Sequence, residues 1–246
     1  MKTPQIKVVY LVSHSLVTLL LLFASLHALF WRHGNGMLFP FAAIAHMLIS
    51  YVGLFPSLKL PDTSRNEIER HLLPLLFLSL TLINAFVAIE LTSRYINPSF
   101  WAKVHLFALI FSMLLLLLLG LFRTGINAGR LFQYTFTALL LSLLLAAMIP
   151  LSVPLNPFEP SVWMRQEKVY LIVLLLGLLA LASFSFLLAR EKDQYSRLRN
   201  ISFCCIVLGN ILYGSRLSLA SVWAGVVLYA VGLVLGIPHQ RFSQLQ

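Results

Sequence analysis

Long apolar runs recur along this chain, separated by short turns that hold nearly all of its charge. LVTLLLLFASLHALF at 16–30 and LFALIFSMLLLLLLGLF at 106–122 are typical. A helix needs about 20 apolar residues to cross the hydrocarbon of a bilayer. Within that solvent only structures that pair their own backbone amides survive. The pattern therefore predicts an all-α, polytopic transmembrane helical bundle. Composition agrees: 59% of the 246 residues are hydrophobic, 11% are charged, and the mean hydropathy is +0.88. A water-soluble domain of this size could not hide so much apolar surface.

The spans are expected near 8–30, 38–58, 72–93, 104–122, 131–150, 169–189, 200–215 and 217–236, all in a single membrane domain covering 1–246. The last two are the difficult pair. From Ile201 to Gly236 the chain is apolar except for GSRLS at 214–218. A tight hairpin with Arg216 at its tip is expected; the alternative is a re-entrant 200–215 followed by one full span. A cleaved secretory leader would likewise reduce eight spans to seven. The first apolar stretch is long for a leader, however, and His27 falls where small residues belong.

Basic residues set orientation. With the N-terminus inside, Lys2, Lys7, Lys59, Arg65, Arg70, Arg123, Arg130, Arg190, Lys192, Arg197, Arg199 and Arg241 lie in inner segments. Arg32, Arg94, Lys103, Arg165, Lys168 and Arg216 lie in outer ones. This imbalance predicts both termini in the cytoplasm. The net charge of +10 is scattered over these turns rather than gathered in a soluble basic domain, so the bilayer, not nucleic acid, is the expected partner. Short loops without a long glycosylated ectodomain point to a bacterial cytoplasmic (inner) membrane.

No loop can hold a soluble domain. Ser64-Arg65-Asn66-Glu67 has capping-box spacing, predicting that the third helix begins near Arg65. The segment from Pro150 to Lys168 carries four prolines and is expected to be extended on the membrane surface. Trp31, Trp101 and Trp163 fall where an outer aromatic belt would form. LFWRHGNGMLF at 29–39 is weakly echoed by LFRTGINAGRLF at 121–132, on opposite faces as an inverted repeat would require. Leu and Phe are common enough here for chance to account for it. Cys204 and Cys205 are neighbours in an apolar run, a poor disulfide pair with no His at metal-ligand spacing.

Polar groups inside the spans are the natural functional candidates, because hydrocarbon offers them no hydrogen bonds. His46 and Asn84 fall near the middle of the second and third spans, His14 and His27 in the first, Asn210 in the seventh. Glu90 lies four residues before Arg94, on the same helix face, and His105 opens the next span just after Lys103. His46, Asn84, Glu90, Arg94 and His105 could line a polar cavity. The plainer reading makes Glu90 and Arg94 an interfacial charge pair and His46 with Asn84 a hydrogen bond between helices. The sequence favours the plainer reading.

Arg190, Lys192, Arg197 and Arg199, in the strongest basic cluster REKDQYSRLR, form a candidate cytoplasmic contact for a protein partner or anionic lipid. No catalytic residues, cofactor or metal site emerge. There is no Gly-x-Ser-x-Gly, His-x-x-x-His, Glu-x-x-His or Cys-x-x-Cys. Ser13 and Ser15 beside His14 lack an acid to orient the base, and no Lys in the last two spans could hold a retinal.

The alternation of short basic turns with Leu-rich helices is similar in composition to seven-helix sensor modules of bacterial signalling proteins. That similarity implies a signalling role with the first span removed, and no residue is carried over from it. The leading expectation is a non-catalytic membrane protein: a sensor, scaffold or accessory subunit. Second is a transporter or permease for an uncharged or amphipathic molecule or lipid; third is a membrane-embedded lipid-modifying enzyme.

Overall fold

The computed structural model describes residues 3–31, 37–60, 67–123, 130–150, 167–216 and 218–242. Among them, eight helices are long and apolar enough to cross a membrane. The elements are α1 (Thr3–Trp31), α2 (Leu38–Leu58), α3 (Glu67–Leu82), a 3₁₀ segment (Ile83–Val87), α4 (Ala88–Thr92), α5 (Pro98–Arg123), α6 (Leu131–Met148), α7 (Glu167–Arg190), α8 (Gln194–Ser215) and α9 (Leu219–Phe242). The 3₁₀ segment and α4 continue α3, so that the three make one span, Ile68–Thr92.

The all-α membrane bundle expected from the apolar runs is what the chain forms. Its centre is the broken third span and α5, whose membrane windows are 83% and 72% buried. The two belong to a closed cycle of packed helices in the order α2, α3, α5, α7, α8, α9 and back to α2. Helix α1 lies against α2 and α3, and α6 against α5. Only 22% of the α6 window is buried. Its covered residues are Leu131 and the small side chains Ala138, Ser142 and Ala146, which let two helix backbones approach in lipid.

The tightest pair is the α8–α9 hairpin. A Cβ at Gly225 would stand 2.6 Å from the Tyr213 amide nitrogen and 2.8 Å from the Gly209 carbonyl oxygen. Ser202 Oγ donates to the Gly232 carbonyl at 2.5 Å. Two full helices therefore replace the re-entrant alternative for 200–215.

Helix ends differ from the ends of the apolar runs. Helix α5 begins at Pro98, ahead of 104, because the Asn97 side chain accepts from the Ser99 amide at 3.0 Å and caps the first turn. Helix α8 begins at Gln194, ahead of 200, because the Asp193 side chain accepts from the Ser196 amide at 2.9 Å and caps the first turn. Arg197 and Arg199 are consequently helical rather than part of a loop. Ser64, Arg65 and Asn66 of the expected capping box lie outside the described residues. So do the turns of the sequence echo at 32–36 and 124–129 and the proline-rich stretch 151–166.

Candidate functional site: the broken third span

Helix α3 carries the seeds of its own interruption. Ser79 Oγ donates to the Leu76 carbonyl at 2.8 Å and Thr81 Oγ1 to the Phe77 carbonyl at 3.2 Å. Asn84 Nδ2 donates to the Leu80 and Thr81 carbonyls at 3.4 and 3.1 Å. Such side chains compete for carbonyls that the helix ladder would otherwise use. Over Ile83–Val87 the chain tightens into a 3₁₀ turn. Mid-helix stretches of this kind mark strain or a hinge.

His46, Asn84 and His105 converge on this break. Asn84 Nδ2 also lies 3.1 Å from His46 Nδ1. An amide NH₂ can only donate, so His46 Nδ1 accepts and the neutral ring carries its proton on Nε2. The Tyr213 hydroxyl donates to Asn84 Oδ1. His46 stacks on Tyr213 with ring centroids 4.0 Å apart, and Tyr229 tilts against it at 5.0 Å. His105 Nδ1 donates to the Ile83 carbonyl, and its ring meets Phe86 edge-on at 5.8 Å. All of these side chains are buried. His46 Nε2 finds no hydrogen-bond partner among the described residues.

Arg216 completes the site. It terminates α8 in the left-handed conformation, φ 48° and ψ 33°, with its guanidinium carbon 3.0 Å from the centroid of Phe86. A desolvated cation over an aromatic face contributes about 2 kcal/mol. Arg216, expected at the tip of the hairpin, is buried against the break.

Glu90 and Arg94 lie further along the third span, beyond the break. Glu90 is half-buried in α4, and Arg94 is exposed past its end. Lys103 turns toward α6, donating to the Ala147 carbonyl at 3.0 Å, where a cation suits a helix C-terminus. Elsewhere at depth, Asn210 Nδ2 donates to Ser112 Oγ at 2.7 Å. His14 Nε2 donates to the Phe77 carbonyl at 3.1 Å and lies 3.0 Å from Thr81 Oγ1.

A second polar cluster joins three helices at the face that carries the N-terminus, hereafter the N-face. Glu69, buried in the first turn of α3, pairs with Arg123 at 3.7 Å and with Arg199. Arg123 Nη1 donates to Asn200 Oδ1 at 2.6 Å. Arg199 is thus committed to the bundle, whereas Arg190, Lys192 and Arg197 are exposed around the α7–α8 turn. Glu69, Tyr213 and Tyr229 escaped the sequence reading, and Arg216 was read only as a hairpin tip. Glu69 lies just outside the apolar run, tyrosines are ordinary interface residues, and Arg216 sits in a turn. The one available signal was that Glu69 shares a membrane face with an excess of arginines.

Among the described residues, no three of His, Cys, Asp and Glu come together as a metal site would require. Compared with models of protein families, with curated proteins and with solved structures, the chain matches none.

Proposed function

We propose that this is a non-catalytic multi-pass membrane protein, a sensor, scaffold or accessory subunit that works through helix contacts and through its N-face. The observation that supports it most is how the polar groups at depth are used. His46, Asn84, Tyr213, His105, Asn210 and His14 bond to one another, to the Ser112 hydroxyl or to helix carbonyls, as residues do when they hold helices together. The exposed Arg190, Lys192 and Arg197 are the proposed contact, for a protein partner or anionic lipid. The excess of basic residues supports a cytoplasmic N-face in a bacterial inner membrane.

The test is a photoreactive side chain at Lys192, irradiated in native membranes. A discrete protein adduct is expected, and it should disappear when Arg190 and Arg197 are changed to Ala. Absence of any adduct in the unaltered background would overturn the contact-face reading.

Two features favour a second reading, a permease for a small uncharged or amphipathic molecule: the broken third span and the unpartnered His46 Nε2. Discontinuous helices near the midplane are where transporters place substrate sites. Flux in reconstituted vesicles that His46→Ala and Glu90→Gln abolish would replace the first reading with this one.

A further inference from the structure

A narrow slot of about 30 Å³ lies between α2, α3, α8 and α9, room for a water molecule or two. Gly53, Phe77, Ile206 and Gly236 line it, one from each helix. Each stands seven residues from a member of the polar site at the break, in order His46, Asn84, Tyr213 and Tyr229. Seven residues make two turns on the same helix face, a rise of roughly 10 Å. In all four helices that step runs toward the N-face, so slot and site form one column. Arg199 lines the slot as well, still 19% exposed at its side chain while paired with Glu69, and marks the mouth.

Between slot and site the column is shut. A Cβ at Gly53 would stand 2.4 Å from the Phe77 ring and 2.8 Å from Leu233 Cδ1, so these two side chains lie directly on the glycine. Either can rotate aside, as backbone could not. Behind them is Ser50, fully buried one turn from Gly53, its hydroxyl donating to the His46 carbonyl at 2.8 Å. The Tyr229 hydroxyl, beside Ser50, finds no hydrogen-bond partner of good geometry among the described residues. With His46 Nε2, two buried donors are left unused, on rings 5.0 Å apart. Each such donor costs about 1–3 kcal/mol, which an entering acceptor would remove.

We infer that the slot is the closed N-face entrance to a binding site at His46 and Tyr229, gated by Phe77 and Leu233, for a small neutral molecule with an accepting oxygen. One oxygen has lone pairs for both Nε2–H and the tyrosine hydroxyl. An ion would shed its water without compensation: the charged lining residue, Arg199, is already paired, and the Ser202 hydroxyl is given to Gly232. The inference shares His46 Nε2 with the permease reading but needs no flux, since a sensor's ligand would enter by the same route.

Silver ions, small enough to follow water, test the route when applied from each side of the membrane in turn to single cysteines in a chain lacking Cys204 and Cys205. Ser202→Cys, in the slot, should react from the N-face side only. Ser50→Cys, behind the gate, should react roughly a hundredfold more slowly, as for a minor open state of about 1%. Phe77→Ala, or Leu233→Ala if the first variant folds poorly, should narrow that gap to about tenfold. N,N-dimethylacetamide, a neutral acceptor without a donor, should then protect Ser50→Cys about fivefold. Tyr229→Phe, which keeps the ring and removes the hydroxyl, should abolish the protection. A silent Ser202→Cys, or one that reacts from the opposite side, overturns the entrance. A Ser50→Cys rate indifferent to both gate residues overturns the gate. Absence of protection, or protection that survives Tyr229→Phe, overturns the assigned ligand chemistry.

Discussion

Arg216 combines two unfavourable choices. It is buried, and as a non-glycine residue in the left-handed region it bears a conformational cost of roughly 1–2 kcal/mol. Its position over Phe86 offsets part of that cost. Arg216→Ala is therefore expected to destabilise the bundle by about 2 kcal/mol. Arg216→Gly loses the same contact but adopts this backbone freely, so it should retain roughly 1 kcal/mol more than the alanine variant. Unfolding titrations in mixed micelles compare the two; equal losses would show that the backbone is not strained. His46 and Asn84 were legible as polar interruptions of apolar runs. Their partners were not, because a residue's neighbours across helices depend on rotation about each helix axis, which hydropathy does not encode. Glu69 shows the same limit at the membrane border, where burial follows helix packing and not the end of the apolar run.

Helices α8 and α9 depend on glycine to meet. At Gly225 an added methyl would strike backbone atoms of Tyr213 and Gly209, which cannot move aside. At Gly177 in α7 it would strike only the outer atoms of the Ile211 side chain, which can rotate. Gly225→Ala should therefore cost about 1–3 kcal/mol. Gly177→Ala should stay within about 1 kcal/mol of the parent, since alanine's helix preference offsets the crowding. Similar losses at both sites, in the same unfolding assay, would contradict the close α8–α9 packing. The number and order of helices could be read from the sequence because span length is dictated by the bilayer. The starts of α5 and α8 could not, since Pro98 and Asp193 begin those helices in polar sequence where hydropathy has already fallen. The interruption of the third span was also hidden: no proline marks it, and its cause is hydroxyl and amide side chains bonding back onto their own helix.

At the scale of the whole molecule, eight crossings fix which groups share a face. The N-face cluster of Glu69, Arg123, Arg199 and Asn200 and the exposed Arg190, Lys192 and Arg197 all belong to one side. Tyr95 and Ser218 belong to the other. The most direct measurement is labelling of single cysteines at Tyr95, Lys192 and Ser218, all exposed, in a background lacking Cys204 and Cys205, with a membrane-impermeant thiol reagent. Positions 95 and 218 should label together on intact cells, and 192 only after the membrane is opened. Labelling of 218 in step with 192 would leave α8 and α9 without two full crossings, and the shared arrangement of both polar clusters would fall with them.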